Sequence, residues 1–185
     1  MKAALDGDAG PVLATLIAAR LREVPDFPQP GIAFKDITRL LADAAAFADV
    51  TRGLAAFGRG VQPVDLVAGV EARGFLLAGA LAHELGCGLV PVRKAGKLPP
   101  PTLRRTYALE YGTAEIEVPV SVLEGKRVLL VDDVLATGGT LRAAAALVTE
   151  AGATVVGSAV LLELGFLDGR RLLADEAQVH ALLRV

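Results

Sequence analysis

Val128-Leu129-Leu130-Val131-Asp132-Asp133-Val134-Leu135-Ala136-Thr137-Gly138-Gly139-Thr140 is the stretch that decides the fold of this chain. Residues 128–131 form a short, wholly apolar run, the pattern of a strand covered on both faces in a parallel sheet. The run then delivers two adjacent acids, and a loop of small residues leads into a helix expected over about 140–151. Strand, tight loop and helix make the first half of a βαβ unit, and such sheets bind ligands beyond the carboxyl ends of their strands. A loop of small residues exposes successive backbone N–H groups, and the helix N-terminus behind it adds positive potential, so the segment can cradle a phosphate. Thr137 and Thr140 add hydroxyl donors. Carboxylates repel a phosphate but accept hydrogen bonds from sugar hydroxyls. Acids for the hydroxyls and a loop for the phosphate together suit a ribose 5-phosphate.

Two other phosphate loops do not fit. The P-loop requires a lysine after its last glycine, and the dinucleotide fingerprint requires G-x-G-x-x-G; neither stands here.

Outward from this segment, apolar runs alternate with helical patterns, which predicts an α/β fold: a mostly parallel, twisted sheet flanked by helices. Strands are expected at 66–68, 89–92, 128–131, 154–162 and 179–183, with a hairpin at 107–110 and 114–118. Helices are expected at 11–24, from an Asp43 cap to about 57, and from the loop 69–74 to about 85; residues 165–174 read as helical or turn-like. The stretch 25–31 holds three prolines, which predicts a stiff extended loop.

The chain has 185 residues, 53% of them hydrophobic and 4% aromatic, with no Trp; its length and apolar content suit one domain with a core of Ala, Val and Leu. One cysteine, Cys87, and two histidines, His83 and His180, give no internal disulfide and no helical metal motif. Apolar runs reach about eight residues, far below the ~20 of a membrane span, and the first residues lack the pattern of a secretory signal. A cytoplasmic location is therefore expected. The net charge of −2 is not that of a nucleic-acid binder. No acid occurs over 85–109, where Arg93, Lys94, Lys97, Arg104 and Arg105 all fall. That window is either a solvated basic loop or a surface for a compact polyanion.

The 128–140 segment resembles the phosphoribosyl-pyrophosphate (PRPP) signature of the type I phosphoribosyltransferases. Three further stretches are similar to the adenine phosphoribosyltransferase family in particular. They are Asp26-Phe27-Pro28-Gln29-Pro30-Gly31-Ile32-Ala33-Phe34-Lys35-Asp36-Ile37-Thr38, then Glu71-Ala72-Arg73-Gly74-Phe75, then Val92-Arg93-Lys94-Ala95-Gly96-Lys97-Leu98-Pro99 continuing to Tyr107-Ala108-Leu109-Glu110-Tyr111-Gly112. The similarity runs in family order from about residue 25 to about 165.

The resemblance implies a single phosphoribosyltransferase domain over 1–185, with about 1–40 forming a hood over the base and about 95–115 a flexible lid. It implies a purine-salvage enzyme making AMP and pyrophosphate from adenine and PRPP. Asp132 and Asp133 would hold the ribose hydroxyls, and Ala136, Thr137, Gly138, Gly139 and Thr140 the 5′-phosphate. Glu71, Ala72, Arg73, Lys94 and Lys97 would meet pyrophosphate, with a non-proline cis peptide at Glu71–Ala72. Ala33, Phe34, Lys35 and Val134 would bind adenine, Phe34 and Val134 against opposite faces and the backbone beside Ala33 and Lys35 reading its edge. Glu110 would be the acid/base residue, on the lid with Tyr111 and Gly112. Mg²⁺ would arrive with PRPP, held mainly by PRPP oxygens and water rather than by a cage of side chains. A homodimer is implied, and no nucleic-acid or membrane partner.

This chain departs from the family in carrying Lys35 where many relatives have Arg, Val134 where a larger Leu is frequent, and Pro99-Pro100-Pro101 before the lid. Beyond Leu164 the likeness is least and assigns no residue. Two other readings are a phosphoribosyltransferase for another base, such as guanine or xanthine, and a non-catalytic regulator that keeps the fold. The Phe34 and Glu110 segments oppose the first. The second usually carries a DNA-binding module ahead of the fold, and only about 60 residues precede the first core strand here.

Overall fold

The apolar runs line up side by side in one sheet. The computed structural model describes residues 10–61, 63–109, 112–174 and 177–185. In chain order the elements are α1 (Pro11–Arg20), β1 (Arg22–Val24), β2 (Phe34–Asp36), α2 (Thr38–Ala42), α3 (Ala44–Gly60), β3 (Leu66–Val70), α4 (Arg73–Leu85) and β4 (Gly88–Lys94). There follow β5 (Thr102–Leu109), β6 (Gly112–Pro119), β7 (Arg127–Leu135), α5 (Gly139–Glu150), β8 (Thr154–Glu163), the 3-10 turns Gly165–Leu167 and Gly169–Leu173, and β9 (Val179–Arg184). Among the described residues no helix is long and apolar enough to cross a membrane.

Seven strands stand in the order β5-β6-β4-β3-β7-β8-β9. The run β4-β3-β7-β8-β9 is parallel throughout, and the β5–β6 hairpin extends it through an antiparallel junction at Arg93 and Lys94. The mostly parallel sheet flanked by helices is thus observed. Asp65 pins the register at the base of the sheet. Its carboxylate accepts the Arg127 N–H at 2.9 Å and both arms of that guanidinium at 2.9 and 2.7 Å, a charge-assisted bidentate pair.

β7 shows why both faces must be covered. Val128 and Leu130 pack with Leu141, Ala144, Leu147 and Val148 of α5, while Leu129 and Val131 pack with α3 and α4 on the other side. Successive strand residues point to opposite faces, so an unbroken apolar run fills both cores at once. The core is aliphatic as composition suggested: no Phe or Tyr is among the fully buried residues described. Asp43 caps α3 by accepting the Ala46 N–H at 3.1 Å, a contact generally worth about 1 kcal/mol.

Several boundaries differ from the sequence reading. The first helix stops at Arg20 rather than continuing to Val24, because Leu21 turns extended (φ −72°, ψ 137°) and residues 22–24 pair with β2. β7 continues through both acids to Leu135, since its ladder with β8 runs on to Leu135↔Glu163. Residues 165–174 are 3-10 turns rather than an α-helix. His83 is exposed, His180 stacks on Phe57 with ring centroids 4.6 Å apart, and Cys87 is only half-buried.

Candidate active site

The sheet changes hand between β3 and β7. From β3 the chain turns into α4 on the face shared with α3; from β7 it turns into α5 on the opposite face. Open α/β sheets offer a crevice at such a point, beyond the carboxyl ends of the diverging strands. Here those ends present Glu71-Ala72-Arg73 on one side and Asp132-Asp133 on the other. Gly74 lets them meet, because a Cβ at this position would stand 2.9 Å from the Val131 carbonyl oxygen and 3.0 Å from Asp132 Oδ1. With α4 seated that closely, Arg73 reaches across. Its guanidinium lies 2.7 Å from Asp133 Oδ2, donates to the Lys35 carbonyl at 3.2 Å, and sits 4.6 Å over the Phe34 ring. Phe27 meets the Phe34 ring edge-on at 5.1 Å. Arg73 therefore ties the β1–β2 ribbon to the acid pair.

Both acids are buried, and they are not equivalent. Asp132 Oδ1 accepts the Asp133 N–H at 2.8 Å. Burial, then the Asp133 charge, pushes the Asp132 carboxyl well above the usual carboxylate range. Asp133 Oδ2 is buried with no aligned hydrogen-bond donor; its contact with Arg73 is purely ionic. Of the two acids, Asp132 is the one that lines the cavity beside the loop.

After Leu135 the chain forms the small-residue loop. Gly138 takes φ +85°, a left-handed conformation that L side chains rarely adopt, and α5 begins at the next residue. The loop rests on Gly169 of the second 3-10 turn so closely that a Cβ there would fall 2.0 Å from the Ala136 carbonyl oxygen. Glu163, with only 1% of its side chain exposed, holds that turn in place through Arg170 at 2.6 Å. Above the loop, the Thr140 hydroxyl donates to the Tyr107 hydroxyl of β5 at 3.3 Å. Ala136, Thr137, Gly138, Gly139, Thr140 and Val134 line a cavity of about 350 Å³ together with Pro28, Gln29, Ile32 and Asp132.

On the far side of the crevice, the Glu71–Ala72 peptide is cis. Glu71 Oε2 accepts the Lys94 N–H at 3.0 Å and the Arg93 Nε–H at 3.2 Å. Burial would raise its carboxyl, but the Lys94 N–H and Arg93 outweigh it and hold the group below its ordinary value. Lys94 and Lys97 stand exposed on the turn after β4.

The family model of the phosphoribosyl transferase domain matches residues 38–178. The adenine phosphoribosyltransferase of Kineococcus radiotolerans is 60% identical over 93% of this chain and 92% of that one. The chain belongs to the adenine phosphoribosyltransferase family. Solved members of this family agree in fold. The enzyme of Thermoanaerobacter pseudethanolicus, 50% identical, superposes with a TM-score of 0.87 over 91% of this chain and 98% of its own. That of Giardia lamblia, crystallised with 9-deazaadenine, is 39% identical with a TM-score of 0.88 over 94% and 97%.

Within this family member, the structure brings together Asp132, Asp133, the 136–140 loop, Val134 and Arg73. Lys94 and Lys97 join them one strand away through Glu71. Phe34 is not among the residues lining the cavity; Arg73 and Phe27 flank its ring, and Ile32 reaches the cavity instead. Glu110 and Tyr111 lie outside the described residues. Sequence reasoning missed Gly169 and Glu163, which hold the loop from below. Their signal is spatial, and nothing local in Asp168-Gly169-Arg170 distinguishes it from an ordinary turn.

The elevated Asp132 carboxyl has a consequence for stability. A folded acid with a raised pKa contributes stability below the unfolded value and loses it as pH rises through the folded one. At neutral pH, therefore, burial of this acid, which ionises freely in the unfolded chain, opposes folding. Asp132→Asn keeps an acceptor for the Asp133 N–H and should raise the melting temperature of the ligand-free protein by about 2–4 °C at pH 7–8, as expected for ~1 kcal/mol. The gain should shrink toward pH ~4, where the wild-type acid is already protonated. A melting temperature that falls at neutral pH would show that Asp132 is not the strained member of the pair.

Proposed function

We propose that the chain transfers the 5-phosphoribosyl group of PRPP to N9 of adenine, releasing pyrophosphate and forming AMP. The observation that carries this reading is the crevice at the β3–β7 divergence. It sets a buried acid pair beside a small-residue loop at a helix N-terminus. The 136–140 loop takes the 5′-phosphate, and Asp132 and Asp133 accept from the ribose hydroxyls. As the bond from C1′ to the pyrophosphate oxygen lengthens, the sugar carbon becomes oxocarbenium-like and negative charge gathers on the leaving group. Arg73, Lys94 and Lys97 meet that charge, while the fixed sugar presents C1′ to the incoming nitrogen.

The base lies between the ribbon and the end of β7, against Val134 and Ile32, with Ala33, Phe34 and Lys35 forming the adjoining strand. Glu110 exchanges the proton at adenine's ring nitrogens. Mg²⁺ arriving with PRPP would supply positive charge at the pyrophosphate oxygens. Among the described residues no three His, Cys, Asp or Glu side chains converge on one point. A cytoplasmic homodimer belongs to the same reading. It is supported by the family likeness.

PRPP-dependent turnover with adenine, guanine, hypoxanthine and xanthine tests the substrate: adenine alone should be converted efficiently, and equal rates with an oxopurine would overturn the assignment. Glu110→Leu should lower the single-turnover rate about 10²-fold, the scale of a lost acid/base, with PRPP affinity intact. An unchanged rate would remove Glu110 from the chemistry.

A further inference from the structure

β6 carries a carboxylate where a sheet residue is ordinarily apolar. Glu117 is 0% exposed, between the buried Ile116 and Val118. A buried charge persists only when hydrogen bonds and counter-charge surround it, and each Glu117 oxygen accepts two donors. Oε1 accepts the backbone N–H groups of Lys97 and Leu98 at 2.6 and 2.7 Å. Oε2 accepts Arg104 Nε–H at 3.0 Å and the Thr102 hydroxyl at 3.4 Å. The Lys97 peptide is gripped from its other side as well, since Arg93 NH1 donates to the Lys97 carbonyl at 3.3 Å while its Nε–H goes to Glu71.

The turn 94–98 is thus fixed through its main chain. Neither Lys94 nor Lys97 forms an ion pair among the described residues, because the nearby carboxylates are engaged by N–H groups and arginines. Such an arrangement holds the backbone of both lysines in place and leaves their ammonium groups without a carboxylate partner among the described residues. Burial would raise the Glu117 carboxyl, but the N–H groups of Leu98, Lys97 and Gly96, with Arg104, hold it below its ordinary value, so it stays charged.

We propose that Glu117 is a positioning residue for pyrophosphate: its buried carboxylate sets the lysine turn before PRPP arrives. This rests on the reading of Lys94 and Lys97 as pyrophosphate ligands, and the test separates the two. Calorimetry on the full chain uses inorganic pyrophosphate with Mg²⁺ as one probe and AMP, which does not need the turn, as the other. Glu117→Gln keeps shape but sets an amide against either Arg104 or the turn. It should weaken pyrophosphate binding, and raise KM for PRPP, about tenfold, the cost of a lost charged hydrogen bond, with AMP affinity within about twofold. Lys97→Ala should weaken pyrophosphate in the same way.

A parallel loss of AMP affinity in Glu117→Gln would mean a general structural role and overturn the proposal. Unchanged pyrophosphate binding in Glu117→Gln, with a loss in Lys97→Ala, would overturn it and leave the lysine reading standing. No loss in either would defeat both. Should Glu117→Gln fail to fold, amide exchange in the unmodified protein decides: the Lys97 and Leu98 N–H groups should be protected without ligand, and exchange at the rate of a free turn would overturn the proposal.

Discussion

Gly169→Ala should cost about 10³ in kcat/KM for PRPP, because misplacing a binding element by ~1 Å alone can cost 10². An alanine Cβ would stand 2.0 Å from the Ala136 carbonyl oxygen and 2.8 Å from the Thr137 carbonyl carbon. Real carbon–oxygen contacts do not close to that distance, so either the phosphate loop or the 3-10 turn must move away. The turn is held by the Glu163–Arg170 pair and by Arg170 NH1 donating to the Val179 carbonyl at 2.7 Å. The loop is the freer of the two. Displacing it tilts the N–H groups of 137–140 off the phosphate, so PRPP and AMP binding should fail together while the sheet remains folded. Phe166→Ser, in the same segment at a side chain 76% exposed, should leave both unchanged. Calorimetry with AMP and steady-state kinetics check the pair; wild-type AMP affinity in Gly169→Ala would show that the loop does not depend on its support.

Arg73→Ala should likewise lose about 10³ in kcat/KM, since one electrostatic stabiliser is commonly worth 10²–10³ and here a second loss is added. In the proposed mechanism its removal takes a positive charge from the leaving group. It also strands Asp133, whose side chain is only 9% exposed, without a counter-charge beside Asp132. Breaking one half of a buried pair costs more than the pair contributed. The ribbon loosens too, because Arg73 is bonded to the Lys35 carbonyl and lies over Phe34. Arg73→Lys should recover little of the loss. A lysine keeps the charge, but its point-like ammonium cannot reach a carboxylate and a carbonyl in a fork while stacking on a ring. Near-wild-type kinetics in Arg73→Lys would mean that charge alone is required.

The parts of the site legible in the sequence are those built from contiguous residues. Strand, acids, loop and helix follow one another over 128–140, so local pattern suffices to put the acids on a strand that leads through a small-residue loop into a helix. Contacts between distant segments were not legible. Apolar spacing continues past Arg20, yet the 22–24 backbone is claimed by Phe34–Asp36 some dozen residues later. Phe34 reads as an aromatic free to stack on a base, and only the fold shows Arg73 over its ring. Asp132 and Asp133 interrupt an apolar run, which suggests that the strand ends there. The neighbouring β8 carries the ladder past them. Gly169 is the extreme case, because its requirement is set wholly by the Ala136 carbonyl on another element.

The aliphatic core leaves the protein with an optical simplicity. With no Trp, its tyrosine emission, from Tyr107 and Tyr111, is free of tryptophan emission. Tyr107 accepts a hydrogen bond from Thr140 of the phosphate loop, and Tyr111 follows it by four positions in the chain. One of the two tyrosines, Tyr107, thus stands against the 136–140 loop. Emission from Tyr107 should therefore change when a ligand fills that loop, with no tryptophan background to subtract.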